Sequence, residues 1–330
     1  MENSLDINTI AVLTSGGDSP GMNVAIRAVC KAAALFGMKV YGVRRGYQGL
    51  INNDIFELTS KEVGGIIDRG GTFLLSARCE EFRHAEGRAK AAENLKALGI
   101  QGLVVIGGDG SYRGADMLYK EHGIKVIGLP GTIDNDISGT DFTIGFDTAL
   151  NTILDAVSKI RDTATSHERT YVIEVMGRDA GYLALYSCMA GGGDGLLIPE
   201  RGYNIEEMGA HIAQRFENGK LHDIVICAEG VAPAEQVAEE LKPYLTKKVQ
   251  NEMRVTKLGH VQRGGAPTAM DRILASKLGY YAVEMLAENQ GGIMVGVESN
   301  KLVTYPISHA WKYKKSISEK DFEITMALAK

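Results

Sequence analysis

The chain is poor in cysteine, tryptophan and proline, with four, one and seven of them in 330 residues. Cys30, Cys79, Cys188 and Cys227 form no C-x-x-C pair, and no His/Cys cluster has zinc spacing, so a structural zinc site is not expected. Scattered thiols at this density fit a reducing cytoplasm. No run of about 18 apolar residues occurs, so no membrane span is expected. The start, MENSLDINTIAVL, is acidic and has no long apolar stretch, so no signal peptide is expected. The net charge of -5 gives no support to general nucleic-acid binding. It also means that any phosphate site must concentrate arginine locally, because surface fields fade over roughly 10 Å. There is no Pro/Ser-rich linker, no low-complexity segment and no solenoid repeat. The one internal echo is strand-Gly-Gly-Asp, at Ser15–Asp18 and Ile106–Asp109.

What is present is an alternation of short apolar runs with longer helix-period stretches. The length suits two α/β domains, and 45% apolar with 23% charged residues suits an ordinary globular core. Strands are expected at Ile10–Thr14, Lys39–Val43, Leu103–Ile106 and Lys125–Leu129. Helices are expected at Gly21–Phe36, with Ala25, Val29, Ala32 and Leu35 on one stripe, and near Tyr112–His122. Such β-α-β units give a largely parallel sheet with helices on both faces, and place the ligand edge at the strand C-termini. After Asp147 a second series follows: helix Thr148–Arg161, strand Tyr171–Val175, helix Gly181–Ala190, strand Leu196–Pro199, helix Ile205–Phe216 and strand Ile224–Ala228. Pro233–Gln250 reads as a surface helix with irregular ends, Thr268–Ala287 as a long helix and Ile293–Val303 as one strand-like stretch. The expectation is α/β: two Rossmann-like three-layer domains with mainly parallel sheets facing a cleft, the chain crossing between them more than once.

Four groups of residues carry chemistry. Thr14-Ser15-Gly16-Gly17-Asp18-Ser19-Pro20-Gly21-Met22-Asn23 joins the first strand to the first helix. Its glycines allow close approach of a ligand at a helix N-terminus, or simply make a tight turn. Gly107-Gly108-Asp109-Gly110-Ser111 fits neither a Walker A loop nor G-x-G-x-x-G. It offers bare amides to phosphate and one carboxylate to Mg²⁺, unless Asp109 merely caps the next helix. Thr132-Ile133-Asp134-Asn135-Asp136 puts two carboxylates at a strand end, as a base for an alcohol or as an Asx-rich turn. Arg78, Arg169, Arg178, Arg254 and Arg263 supply the local positive charge, although each alone suits a solvated surface. Gly259-His260-Val261-Gln262-Arg263-Gly264-Gly265 holds polar side chains on a tight backbone. Together these suggest phosphoryl transfer to a hydroxyl group, in which charge stabilisation outweighs proton removal.

In order along the chain, LTSGGDSPGMN, RGGTFLLSAR, VVIGGDGS, GLPGTIDNDI, SHERT, VMGRDAG and LGHVQRGG closely resemble the bacterial ATP-dependent 6-phosphofructokinases. The resemblance implies transfer of the ATP γ-phosphoryl group to the 1-hydroxyl of fructose 6-phosphate, with Mg²⁺. It implies Asp134 as general base, Asp136 as second carboxylate and Thr132 against the transferred group. Arg78 and Arg178 would stabilise transition-state charge. Gly16, Arg78, Cys79, Gly108, Asp109, Gly110 and Ser111 match nucleotide positions, with Asp109 linked to the metal. Met176, Gly177, Arg178, Glu229, His260 and Arg263 match sugar-phosphate positions, while Arg169 and Arg254 would serve a neighbouring subunit's site in a homotetramer. An ATP-binding domain is expected over 1–145 plus 262–310, and a fructose-6-phosphate-binding domain over 146–261 plus 311–330.

Relatives that use pyrophosphate typically carry Asp at the position of Gly110 and Lys at that of Gly131, so glycine at both leaves room for ATP. Lipid and NAD kinases share Gly-Gly-Asp-Gly but lack the other segments as a set. A non-catalytic relative would have lost Asp109, Asp134 or Arg178. Arg27, Arg161 and Lys220 match basic residues of the family's ADP or phosphoenolpyruvate effector pocket, while Lys31 stands there where Arg is common and Asp194 replaces a Glu. Ser60, Asn218 and Leu221 replace basic residues there, which implies a weak or altered effector response. The conformation of 231–253 stays open.

Overall fold

The computed structural model describes residues 7–329. They form two compact units: the described residues up to Thr148 with Arg263–Lys315, and Ala149–Gln262 with the described residues from Ser316 on. The chain therefore passes between units after Thr148, Gln262 and Lys315. In chain order the elements are β1 (Thr9–Thr14), α1 (Met22–Leu35), β2 (Lys39–Val43), α2 (Gly46–Asn52), β3 (Ile55–Glu57), α3 (Ala85–Ala97), β4 (Gly102–Gly107), α4 (Asp109–His122) and β5 (Lys125–Pro130). Then come α5 (Phe146–His167), β6 (Thr170–Val175), α6 (Tyr182–Gly191), β7 (Gly195–Leu197), α7 (Ile205–Glu217), β8 (Asp223–Ala228), α8 (Ala234–Leu241), α9 (Lys247–Asn251) and β9 (Met253–Lys257). The last are α10 (Ala269–Ala287), β10 (Ile293–Glu298), β11 (Lys301–Pro306), α11 (His309–Lys312) and α12 (Glu319–Leu328).

The first unit holds a seven-stranded sheet in the order β11-β10-β5-β4-β1-β2-β3. Its central pairings are parallel, and β2–β3 and β10–β11 are antiparallel edges. The period of two along β1 divides its side chains between two cores. Ile10 and Val12 pack with residues of α1 and α10, such as Val29 and Leu278. Ala11 and Leu13 pack with residues of α3 and α4, such as Leu95 and Tyr112. Each fully buried aliphatic side chain stabilises this arrangement by about 1.5–3 kcal/mol. The second unit holds an all-parallel sheet in the order β7-β8-β6-β9. Val172, Val225 and Cys227 pack there against Ile212, Val237 and Leu241 of α7 and α8.

Two expectations are corrected. Ile293–Val303 is not one strand: β10 and β11 form a hairpin in which Glu298 pairs with Lys301. Ser299 and Asn300 turn it with φ of 50° and 63°, the backbone that a two-residue hairpin loop needs. The turn carries no glycine, so it was silent in the sequence. Pro233–Gln250 is not one helix. α8 ends where Pro243 enters a 3-10 turn at Lys242–Tyr244, and α9 restarts with the Thr246 side chain as its cap. α8 itself is a surface helix, burying Ala234, Val237, Ala238 and Leu241 while Glu235, Gln236 and Glu239 are exposed. Among the described residues no helix is long and apolar enough to cross a membrane.

Candidate active site

In the first unit β1 lies between β2 and β4. The connections leaving β1 and β4 therefore diverge, and the strand ends at such a reversal form a crevice. Backbone bonds tie the three turns there together. Ser15 N donates to Ile106 O at 3.0 Å and Gly131 N donates to Gly107 O at 3.1 Å. A Cβ on Gly107 would lie 2.5 Å from Ser15 O, whereas a Cβ on Gly108 or Gly110 would meet nothing within 4 Å. Gly108 and Gly110 thus present open backbone at the start of α4, where amides and the helix dipole favour an anion. Gly108 occupies the cap position and no side chain caps the helix. Asp109 is therefore not a cap: it is the first helical residue, half-exposed, with Arg113 Nε 3.6 Å from its Oδ2.

Gly16 sits across from this turn, a Cβ there lying 3.5 Å from Ser111 Oγ. Its carbonyl accepts from Ser76 Oγ at 2.6 Å, and Thr14 Oγ1 donates to Leu75 O at 2.9 Å. Asn23 holds the same loop: its Nδ2 donates to Arg69 O at 3.0 Å, and its Oδ1 accepts from Phe73 N at 2.5 Å. The loop that leads to exposed Arg78 is thereby pinned beside β1. Cys79 follows half-buried, its thiol pushed above the usual range by desolvation. Gly17 corrects an expectation. Its bare face is occupied by Arg263, whose Nη1 donates to Asp18 O at 3.2 Å. A Cβ at Gly17 would lie 2.5 Å from that nitrogen.

After β5, Thr132, Asp134 and Asn135 are 8%, 3% and 2% exposed, and Asp136 is half-buried. Asp134 N donates to Thr132 Oγ1 at 3.2 Å, and Thr143 Oγ1 donates to Thr132 O at 2.6 Å. Asn135 has φ 53°. Its side chain bonds the returning segment, at Asp141 O and Thr143 N six and eight residues on, rather than its own local backbone as an Asx turn would. At Gly131 a Cβ would meet Ile106 Cγ2 at 2.9 Å. Glycine there is dictated by packing as well as by any donor preference.

The second unit places its own group at the ends of β6 and β8. Gly177, at φ 142°, turns the chain so tightly that a Cβ would lie 2.3 Å from Ala180 O. Arg178 follows, exposed, at φ 52°. Glu229 Oε1 accepts from Gly177 N at 3.2 Å and Arg178 N at 2.9 Å. Met176 N donates to Gln262 Oε1 at 3.1 Å, and Gln262 Nε2 donates to Gly259 O at 2.9 Å. Gln262 joins the loop of Met176 and Arg178 to the 3-10 turn (Gly259–Arg263) that carries exposed His260. Arg169 and Arg254 converge on Glu252, with Arg169 Nε at 2.9 Å and Arg254 Nη2 at 3.5 Å from its Oε2. The Arg169 bond holds the Glu252 carboxyl below its usual range. Arg169 is preceded by Glu168, at φ 52°.

Arg161, Asp194 and Lys220 share one neighbourhood in this unit. Lys220 is paired with Asp194, and Arg161 Nη2 donates to Gly191 O and to Gly192 O. Asp223 beside them has its pKa raised to about 6 by burial, opposed by Arg215. Arg27 and Lys31 lie four residues apart on α1 of the first unit. Sequence reasoning gave no role to Asn23, Gln262, Glu252 or Lys315. The only signal was a polar residue inside a glycine-flanked or charged motif.

Among the described residues no cluster of three or more His, Cys, Asp or Glu is arranged to hold a metal ion. Asp109 alone, beside open Gly108 and Gly110, fits a Mg²⁺ that arrives with phosphate oxygens and keeps its waters.

Residues 9–286 match a protein family described as "Phosphofructokinase". The "ATP-dependent 6-phosphofructokinase" of Fusobacterium nucleatum is 59% identical over 97% of this chain and 99% of its own length. That of Bacillus subtilis is 54% identical over the same shares. Among solved structures, phosphofructokinase from Saccharomyces cerevisiae superposes with a TM-score of 0.88 at 38% identity, covering 97% of this chain. This chain spans 48% of that yeast chain's length.

Proposed function

This chain belongs to the phosphofructokinase family, and from that premise we propose that it transfers the γ-phosphoryl group of ATP to the 1-hydroxyl of fructose 6-phosphate, the committed step of glycolysis. The observation that carries this reading is one junction. The open Gly108–Gly110 backbone and the buried Asp134 belong to adjacent strand ends tied by the Gly131–Gly107 bond.

Asp134 is the general base. It takes the hydroxyl proton as the sugar oxygen bonds to phosphorus and the bond from phosphorus to ADP breaks. Thr132 stands against the transferred group, and Asp136 is the second carboxylate of the loop. Arg78 and Arg178 neutralise charge on the equatorial oxygens. Gly16, Arg78, Cys79, Gly108, Gly110 and Ser111 receive the nucleotide, and the open space at Gly110 supports ATP as donor. Asp109 would hold Mg²⁺, which when bound would offset charge on the phosphate oxygens.

Met176, Gly177, Arg178, Glu229, His260 and Arg263 receive the sugar phosphate. Glu229 Oε1 does so while fixing the amides of Gly177 and Arg178. The first unit is read as the ATP-binding domain and the second as the sugar-phosphate domain. Arg169 and Arg254, side by side on Glu252, serve a neighbouring copy's site in a cytoplasmic homotetramer. ADP and phosphoenolpyruvate act weakly as effectors, because Lys220 is already neutralised by Asp194 and Arg27, Lys31 and Arg161 are left as the basic residues. Tight activation by ADP with strong phosphoenolpyruvate inhibition would overturn that last point.

The test is a coupled assay of the purified full chain with fructose 6-phosphate and Mg²⁺, comparing ATP with pyrophosphate. Activity with ATP alone supports the reading. Activity with pyrophosphate alone refutes the donor, and silence with both refutes catalysis.

A further inference from the structure

Lys315 closes the first unit in sequence, 180 residues from the loop it touches. Its Nζ donates to Asn135 Oδ1 at 2.9 Å and to Asp141 O at 2.8 Å. Each of these acceptors already takes another donor. Thr143 N reaches Asn135 Oδ1 at 3.0 Å, and Asn135 Nδ2 reaches Asp141 O at 3.3 Å. Lys315 thus completes a small network whose centre is Asn135, the residue between Asp134 and Asp136. Asn135 is left-handed, at φ 53°. Asparagine tolerates that backbone, so it is the side-chain bonds that fix which conformation the loop keeps.

We propose that Lys315 is a positioning residue for phosphoryl transfer. Its ammonium locks Asn135 and so sets the backbone that presents Asp134 and Asp136. The inference rests on the reading of Asp134 as base. Desolvation draws the Lys315 pKa down to about 8, opposed by Asp141 and Asp136, the two carboxylates of the loop that face it. It is charged at neutral pH and loses its proton as the pH passes that value. A simple packing role would carry no such pH dependence.

The test compares wild type, K315M, K315R and D134A as full-length protein, with ATP, Mg²⁺ and fructose 6-phosphate, across the neutral to alkaline range. K315M is expected to lower kcat roughly tenfold, the size of one charge-assisted contact. Both KM values should stay within about twofold on the same reasoning. Wild-type kcat should decline above about pH 8. K315R, whose guanidinium does not titrate there, should recover part of kcat and lose that decline. K315M at the wild-type kcat would overturn the proposal, as would an unchanged alkaline decline in K315R. D134A at the wild-type kcat would overturn the base reading and this inference with it. An impaired D134A beside an unimpaired K315M overturns the inference alone.

Discussion

Gln262 is the most economical place to break this protein without touching a charge. Its side chain is 0% exposed and spends both ends on backbone: Oε1 takes Met176 N at 3.1 Å, and Nε2 gives to Gly259 O at 2.9 Å. Leucine has similar bulk but satisfies neither group. Each buried group left unpaired costs about 1–3 kcal/mol. Burying leucine in place of an amide returns about 1–2 kcal/mol, part of its full transfer energy. The expected net loss for Q262L, two such groups less that return, is therefore about 1–4 kcal/mol. It is read from the urea midpoint and slope at fixed protein concentration. The same bonds hold the loop of Gly177 and Arg178, so the KM for fructose 6-phosphate should rise about tenfold, equivalent to some 1.4 kcal/mol of lost binding. If Q262L unfolds within about 0.5 kcal/mol of wild type, as an ordinary surface change would, the two bonds are not holding that junction. Lost stability with an unchanged KM would confine Gln262 to folding.

Three further outcomes are expected. D134A should lower kcat by at least about 10²-fold in the coupled assay, the range for a general base. G17A brings a Cβ to 2.5 Å from Arg263 Nη1. Because the end of a flexible side chain can yield, it should behave as a mild R263A, with a raised KM for the sugar phosphate and little change in stability; an unchanged KM for G17A would separate the two residues. Asp271 accepts from Gly145 N, Thr148 N and Thr148 Oγ1, yet burial outweighs these bonds and raises its pKa to about 6. A carboxyl raised above its unfolded value near 3.9 contributes stability that is complete below about pH 4 and lost by about pH 6, on the order of 2–3 kcal/mol. The stability gap between wild type and D271N, followed by thermal melting, should narrow across that window.

The elements legible in the sequence were those whose own residues decide them. β4 and β5 are apolar runs buried along nearly their whole length, and α1 buries Ala25, Val29 and Ala32 of its expected stripe, whereas Leu35, in its last turn, is 79% exposed. α3 went unread because its inward face is mostly alanine, with Ala91, Ala92 and Leu95 buried in an otherwise polar stretch. β9 is an edge strand with two basic residues among five. The same division holds for the site. Glycines and carboxylates clustered in short motifs announced themselves. The contacts that seat them did not, because they join distant segments: Arg263 lies 245 residues from Asp18, and Gln262 lies 86 from Met176. Backbone conformation was equally hidden. Leu75, Asn135, Glu168 and Arg178 all have positive φ without being glycine, each within or beside a motif picked out by side-chain chemistry alone.

The order in which the chain supplies its sheets also has a consequence during synthesis. Val104, Ile106, Ile127 and Leu129 need Leu278, Ala282 and Leu286 of α10 to complete their core. Yet the whole sheet of the second unit is translated in between. At bacterial elongation rates that interval is on the order of ten seconds. The nascent first unit must therefore wait on the ribosome with one apolar face covered by α1 but not yet by α10, while the smaller unit already has all four strands of its sheet. Stalling translation between Asn251 and Thr268 should yield a chain that engages chaperones through its N-terminal half, and release should let that half close around α10.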